Sequence, residues 1–181
     1  TGYPRAHRTC RKGKPCALIR AGKVWFNIME LHLTLNGKPV SKTIAPDASL
    51  LNFLRECGCH SVRSGCDTGN CGICTVWVDG QPLLSCAYPA ARAEGKNITT
   101  LEGVKAEADE LIRYMAEEGA DQCGYCSPGF IMAVLGMKRE LQNPTEEEVK
   151  HYLAGNLCRC TGYASQTRIL QKYLAEVQNN G

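Results

Sequence analysis

Eight of the twelve cysteines fall into two quartets, Cys66, Cys71, Cys74 and Cys86, then Cys123, Cys126, Cys158 and Cys160. Cysteine thiolates are the ligands that hold iron in iron–sulfur centres, four to a centre. The first quartet lies in VRSGCDTGNCGICTVWVDGQPLLSC. Its gaps of four and two residues, with a fourth cysteine following later, are those of a plant-type [2Fe-2S] loop. An oxidised two-iron group held by four thiolates carries roughly a −2 charge, so the loop around it must supply hydrogen-bond donors. Gly65, Gly69 and Gly72 are expected to adopt positive φ and turn backbone N–H groups toward the sulfurs.

The second quartet comes as two pairs, in QCGYCSPG and GNLCRCTGY, separated by a long helical stretch. Cys123 and Cys126 have a two-residue gap, but one residue separates Cys158 from Cys160, unlike the paired two-residue gaps of zinc knuckles. Structural zinc stays a second reading for this quartet alone. The histidines, His7, His32, His60 and His151, include no pair at ligand spacing, which argues against a Rieske-type centre. The chain also has no nucleotide-binding glycine fingerprint, triad candidate or acid–base cluster, so one-electron transfer is expected of it and substrate chemistry is not.

Positioning these cysteines requires two kinds of element. In ELHLTLNGKPVSKTI, Leu31, Leu33 and Leu35 alternate with polar residues, and Asn36-Gly37 is a type I′ hairpin signal. Pro46, Asp47 and Ser49 start a short helix through Leu50, Leu51 and Leu54. A second hairpin, Thr75 to Val78 and Gln81 to Leu84 around Asp79-Gly80, carries Cys74 and Cys86 at its ends, and Ile98 to Leu101 can add a closing strand. Beyond Gly103, four helices are expected. These are Ala108 to Glu118, Gly129 to Leu141, one opened by a capping box at Thr145 and Glu148, and one from about Ser165 to Val177. The second ligand set then falls at helix ends.

The chain's 181 residues and 44% hydrophobic content suit two small metal-stapled cores. The first 28 residues form a basic extension, expected to be poorly ordered. It holds seven Lys or Arg and no Asp or Glu, and without it the formal charge moves from +3 to −4. The remainder is thus mildly acidic, and neither nucleic acid nor membrane is an expected partner. Cys10 and Cys16 in this extension read as plain thiols, and Cys57 and Cys59 as small buried apolar groups. No apolar run suits a secretory signal or approaches the roughly 18 residues of a membrane span. A reducing, cytoplasmic location is expected.

From about Met29 onward the sequence resembles the small subunit, with two [2Fe-2S] clusters, of the molybdenum hydroxylases, the xanthine dehydrogenase/xanthine oxidase family. The resemblance rests on SGCDTGNCGICTV, LLSCAYPA, QCGYCSPGFIMA and GNLCRCTGY in that order, over about 150 of 181 residues. It implies an α+β chain: residues 29–103 as a β-grasp ferredoxin-like domain with a plant-type cluster, and residues 104–181 as a four-helix [2Fe-2S] bundle. It implies a heterotrimer in which a large subunit carries molybdopterin and a medium subunit carries FAD. Electrons would run from molybdopterin through the two clusters to FAD. The motif wording is similar to bacterial three-subunit xanthine dehydrogenases, implying a purine such as xanthine as substrate. By the same resemblance Gln122, otherwise an ordinary surface residue, and Cys160 would contact the pterin. Arg159 would pair with a partner or cluster charge. An independent ferredoxin-like carrier and a zinc-stapled interaction module are the alternatives.

Overall fold

The computed structural model describes residues 18–21 and 24–179, with side chains described for residues 28–175. Within the basic extension, β1 (Leu18–Ala21) and β2 (Val24–Asn27) pair as an antiparallel two-stranded sheet. The β-branched and aromatic residues in LIRA and VWFN suit this pairing. Residues 1–17, with Cys10 and Cys16, lie outside the described residues.

The main sheet has five strands in the order β4-β3-β7-β5-β6. β3 (Met29–Leu35) and β4 (Lys38–Ile44) form an antiparallel hairpin. Its turn residues Asn36 and Gly37 have φ of 50° and 77°, the double positive φ of a type I′ turn. β5 (Thr75–Val78) and β6 (Gln81–Leu84) form the second hairpin around Asp79 and Gly80, at 51° and 84°. β7 (Asn97–Thr99) is not an edge strand. It lies between the hairpins, parallel to β3 and antiparallel to β5. The strand stops at Thr99 because the Thr100 N–H donates to Asn36 Oδ1 (2.8 Å) rather than to a neighbouring strand, while Asn36 Nδ2 donates to Thr100 Oγ1 (2.9 Å).

The short helix α1 (Leu50–Glu56) crosses this sheet, capped by Ser49, whose hydroxyl accepts from Asn52 N–H at 3.3 Å. It inserts Leu50, Phe53 and Leu54 against Leu31, Leu33, Val76, Val78 and Ile98. Cys59 is buried in this core and Cys57 packs against it, and burial raises both thiols above their ordinary pKa.

Four helices follow: α2 (Lys105–Glu117), α3 (Ser127–Glu140), α4 (Glu146–Leu153) and α5 (Ala164–Asn179). α4 opens on the expected capping box of Thr145 and Glu148. A second core gathers Leu111, Met115, Phe130, Val134, Leu135, Ile169 and Tyr173 around Trp77. β5 is therefore buried on both faces. Val76 and Val78 enter the first core, while Trp77 turns to the helices, donates from Nε1 to Met132 O (3.0 Å) and lies under the Arg139 guanidinium at 4.0 Å. Among the described residues, no helix is long and apolar enough to cross a membrane.

Glu102 ties the end of the sheet to the segment before the first cysteine loop. Its carboxylate accepts from Ser61 N–H (2.9 Å), Ser61 Oγ (2.6 Å) and Thr100 Oγ1 (2.6 Å). Burial alone would raise its pKa, but these donors hold it below the ordinary 4.5. A carboxylate depressed on folding adds stability above its unfolded pKa and loses it as pH falls through its folded one. Glu102→Gln is therefore expected to flatten the acid side of a urea-midpoint profile below about pH 4.5, with the variant less stable than the parent at neutral pH. Parallel profiles for the two proteins would contradict this.

Candidate metal centres

The first quartet sits on the loop between α1 and β5 and on the far end of the β5–β6 hairpin. Cys74 immediately precedes β5 and Cys86 lies in a single 3-10 turn after β6. The hairpin thus returns Cys86 to Cys74, and the Ser85 hydroxyl fixes the return by donating to Cys74 O at 2.8 Å. Thiol contacts link Cys66 with Cys71 and Cys74 with Cys86, and Cys86 feels the charges of all three others. Gly69 and Gly72 have φ of 68° and 73°. Gly65 does not take positive φ as expected. It lies close under the Ile73 side chain, whose far end a Cβ there would displace, and that Cβ would sit 3.2 Å from Cys71 Sγ.

The second quartet is assembled from helix ends. Cys126 immediately precedes α3, while Cys158 and Cys160 lie between α4 and α5. Cys160 Sγ is 3.5 Å from Cys123 Sγ, and Cys126 contacts Cys158. Thr161 closes over Cys158, donating from Oγ1 (3.2 Å) and N–H (3.5 Å) to its sulfur. Among the described residues, no three or more His, Cys, Asp or Glu side chains converge on one ion position. The thiols meet as four pairs, two to each quartet, and in a two-iron group each iron would take two thiolates.

The electrostatics fit a cationic guest. In three of the pairs, Cys66 with Cys71, Cys123 with Cys160 and Cys158 with Cys126, one thiol is shifted toward ionisation and the other away from it. The backbone N–H of Asn70, with contributions from Cys71 and the N–H groups of Thr68 and Cys71, brings Cys66 down to about 6. Burial raises Cys71. Burial, then the neighbouring Cys74, pushes Cys86 up to about 12. Burial and Cys158 likewise push Cys126 to about 12. Burial opposes ionisation of Cys158, but the Thr161 hydroxyl and N–H outweigh it and lower its pKa. Adjacent thiols cannot both ionise unless a cation takes up the charge, and iron placed at each pair supplies it. Thr161→Val removes one donor to a ligand sulfur. It is expected to shift the reduction potential of the second centre negative, read by a dithionite titration followed by electron paramagnetic resonance, and to leave the first unmoved. An unchanged second potential would contradict the role of this hydroxyl.

The two sites abut. Leu157 N–H donates to Cys71 O at 2.9 Å, joining the residue before Cys158 to a cysteine of the first quartet. Asn156 Nδ2 reaches Gly72 O (3.4 Å) and Gly129 O (3.5 Å). The approach depends on two glycines. A Cβ on Gly129 would sit 2.6 Å from Ile73 O and closer still to Gly72 O, and one on Gly72 would sit 2.6 Å from Gly155 O. Sequence patterning marked Gly72 for its positive φ alone and missed Asn156, Leu157 and the packing role of Gly129, along with Arg63 and Tyr125, which cross-link the loops: Tyr125 Oη donates to Ser64 O at 2.8 Å. Their only sequence signal is nearness to a ligand cysteine.

The centres differ in exposure. Cys71 and Cys74 are buried, whereas Cys123 and Cys160 are exposed. Gln122 and Arg159 are exposed beside them, as are Tyr125 (46%), Leu157 (45%) and Tyr163 (42%). The second site therefore opens onto a surface with three large apolar side chains.

Comparisons with known proteins agree with this architecture. Residues 33–101 match the family of 2Fe-2S iron-sulfur cluster binding domains, and residues 100–171 match the family of [2Fe-2S] binding domains. The chain is 48% identical over 141 residues to the xanthine dehydrogenase iron-sulfur-binding subunit of Escherichia coli O157:H7, covering 74% of this chain and 86% of that one. It is 42% identical over 141 residues to the nicotinate dehydrogenase small FeS subunit of Eubacterium barkeri, covering 76% and 90%. In structure it is similar to quinoline 2-oxidoreductase from Pseudomonas putida 86, with a TM-score of 0.75, 36% identity, and coverage of 85% of this chain and 98% of that one.

Proposed function

Because this chain belongs to the iron–sulfur subunits of the xanthine and nicotinate dehydrogenase type of molybdenum hydroxylase, we propose that it relays electrons from molybdopterin in a large subunit to FAD in a medium subunit. Cys66, Cys71, Cys74 and Cys86 hold one [2Fe-2S] cluster; Cys123, Cys126, Cys158 and Cys160 hold the other. Residues 29–103 and 104–181 are the two cluster domains. Each cluster, when bound, takes up and gives back one electron at a time. The observation that carries the proposal is the gathering of all eight thiols into contacting pairs at two abutting sites.

This chain's residues do the holding and the spacing. The first loop directs N–H groups at Cys66, and Thr161 donates to Cys158. Donors of this kind favour the more negative, reduced state of each centre. The Cys71 C=O and Leu157 N–H offer a short bonded route between the quartets. Cys160, exposed beside Gln122, is where the pterin of the large subunit docks, and Tyr125, Leu157 and Tyr163 give that subunit an apolar seat. The substrate, a purine such as xanthine, reacts on the large subunit in a reducing, cytoplasmic compartment.

The test is purification of the native complex through a tag on this chain, followed by anaerobic addition of xanthine. Co-elution of a molybdenum-bearing and an FAD-bearing chain, with both iron–sulfur signals appearing on addition of xanthine, supports the proposal. Elution of the chain alone with both centres loaded would replace it with an independent carrier.

A further inference from the structure

Arg63 lies three residues before Cys66, yet its Nη1 donates to Gly124 O (2.6 Å) and Tyr125 O (3.1 Å). Those carbonyls lie between Cys123 and Cys126. The guanidinium also sits 5.2 Å from the centroid of the Tyr125 ring, and the Tyr125 hydroxyl returns across the gap to Ser64 O at 2.8 Å. The cross-link is therefore reciprocal, each loop giving a donor to the backbone of the other. Among the described residues, no carboxylate lies within ion-pair distance of Arg63. Its charge faces neutral carbonyls and an aromatic ring at the junction of two thiolate sites.

We propose that Arg63 is a positioning residue and fixed countercharge shared by the two cluster sites, holding the loops in register and favouring the added negative charge of each reduced centre. The inference rests on reading both quartets as cluster sites. Each centre gains one electron on reduction and its formal charge falls by one, with no bond made or broken. The second electron to arrive then meets an extra negative charge on the neighbouring centre. A half-buried cation at the junction favours the added electron at either centre more than a solvent-exposed one would. A neutral residue there makes both reductions harder.

The experiment is an anaerobic dithionite titration of the full, cluster-loaded chain, followed by electron paramagnetic resonance, for the parent, Arg63→Gln and Arg63→Lys, with iron counted on each sample. Arg63→Gln is expected to lower the reduced-to-oxidised ratio of each centre roughly fivefold at a fixed potential, moving both midpoints negative. Arg63→Lys keeps the charge and is expected to leave both midpoints near the parent values. Where the Gln variant fails to load, Arg63→Met, whose stem still packs on Tyr125, takes its place with the same expectation. Midpoints in the neutral variants equal to those of the parent, in samples that carry full iron, would overturn the proposal. Missing iron in the parent would instead overturn the reading of the quartets.

Discussion

Cys158→Ser is expected to cut the iron content of the purified chain from about four to about two per molecule, leaving one of two reduced resonance signals. Cys158 pairs with Cys126 at the start of α3 and is carried on the connection between α4 and α5. Its loss therefore opens one ligand pair and unfastens the two ends of the helical domain that the cluster joins. Metal binding free energy is folding free energy in sites of this size, so the melting transition of the helical domain should fall as well. The first quartet has its own four thiols, and its signal should survive. The matching control is Cys59→Ala. That thiol is buried in the core of the sheet domain, and the side chains acting on it are Thr100, Glu102 and Cys57 rather than any of the eight, so both signals should remain. Loss of both signals in Cys158→Ser, or of either in Cys59→Ala, would contradict the assignment of ligands.

Gly129→Ala should destabilise the protein although it places a better helix former in α3. Helix propensity alone favours alanine by roughly 1 kcal/mol. Against that, the new Cβ would meet Gly72 O, Ile73 O at 2.6 Å and Ile73 C at 2.8 Å. These are backbone atoms of the first cysteine loop and cannot rotate away. Overpacking of this kind costs about 1 to 3 kcal/mol, and a separation of the loops also strains the Leu157 to Cys71 hydrogen bond. The net expectation is a loss of up to about 2 kcal/mol in urea unfolding and weaker magnetic coupling between the reduced centres. Gly65→Ala is the contrast, because its nearest obstacle is the far end of the Ile73 side chain, which can move. A Gly129→Ala variant as stable as the parent with unchanged coupling would show that the loops have slack.

Local chemistry made much of this legible in the sequence. The Asn36-Gly37 and Asp79-Gly80 turns, the Ser49 cap and the Thr145 capping box are each set by residues within a few positions of one another, and each is present in the structure. The cysteine quartets were visible because ligand spacing is itself a local pattern. Contacts between distant segments were not. Trp77 looks like one more residue of an alternating strand, and its turn toward the helices follows from α3 packing on β5. The central place of β7 depends on Asn36 meeting Thr100 across 64 residues. Arg63 reaches carbonyls 61 and 62 residues away, and no periodicity announces that. In the basic extension, charge counting passed over two short runs, Leu18–Ala21 and Val24–Asn27, that pair as strands.

The most direct test of a two-cluster relay is electron paramagnetic resonance of the anaerobic protein before and after dithionite, with iron and zinc counted on the same sample. Two distinguishable reduced [2Fe-2S] signals with about four irons per chain are predicted. A single signal accompanied by zinc would contradict the account, leaving the first quartet as the electron-carrying centre and the helical domain as a structural module.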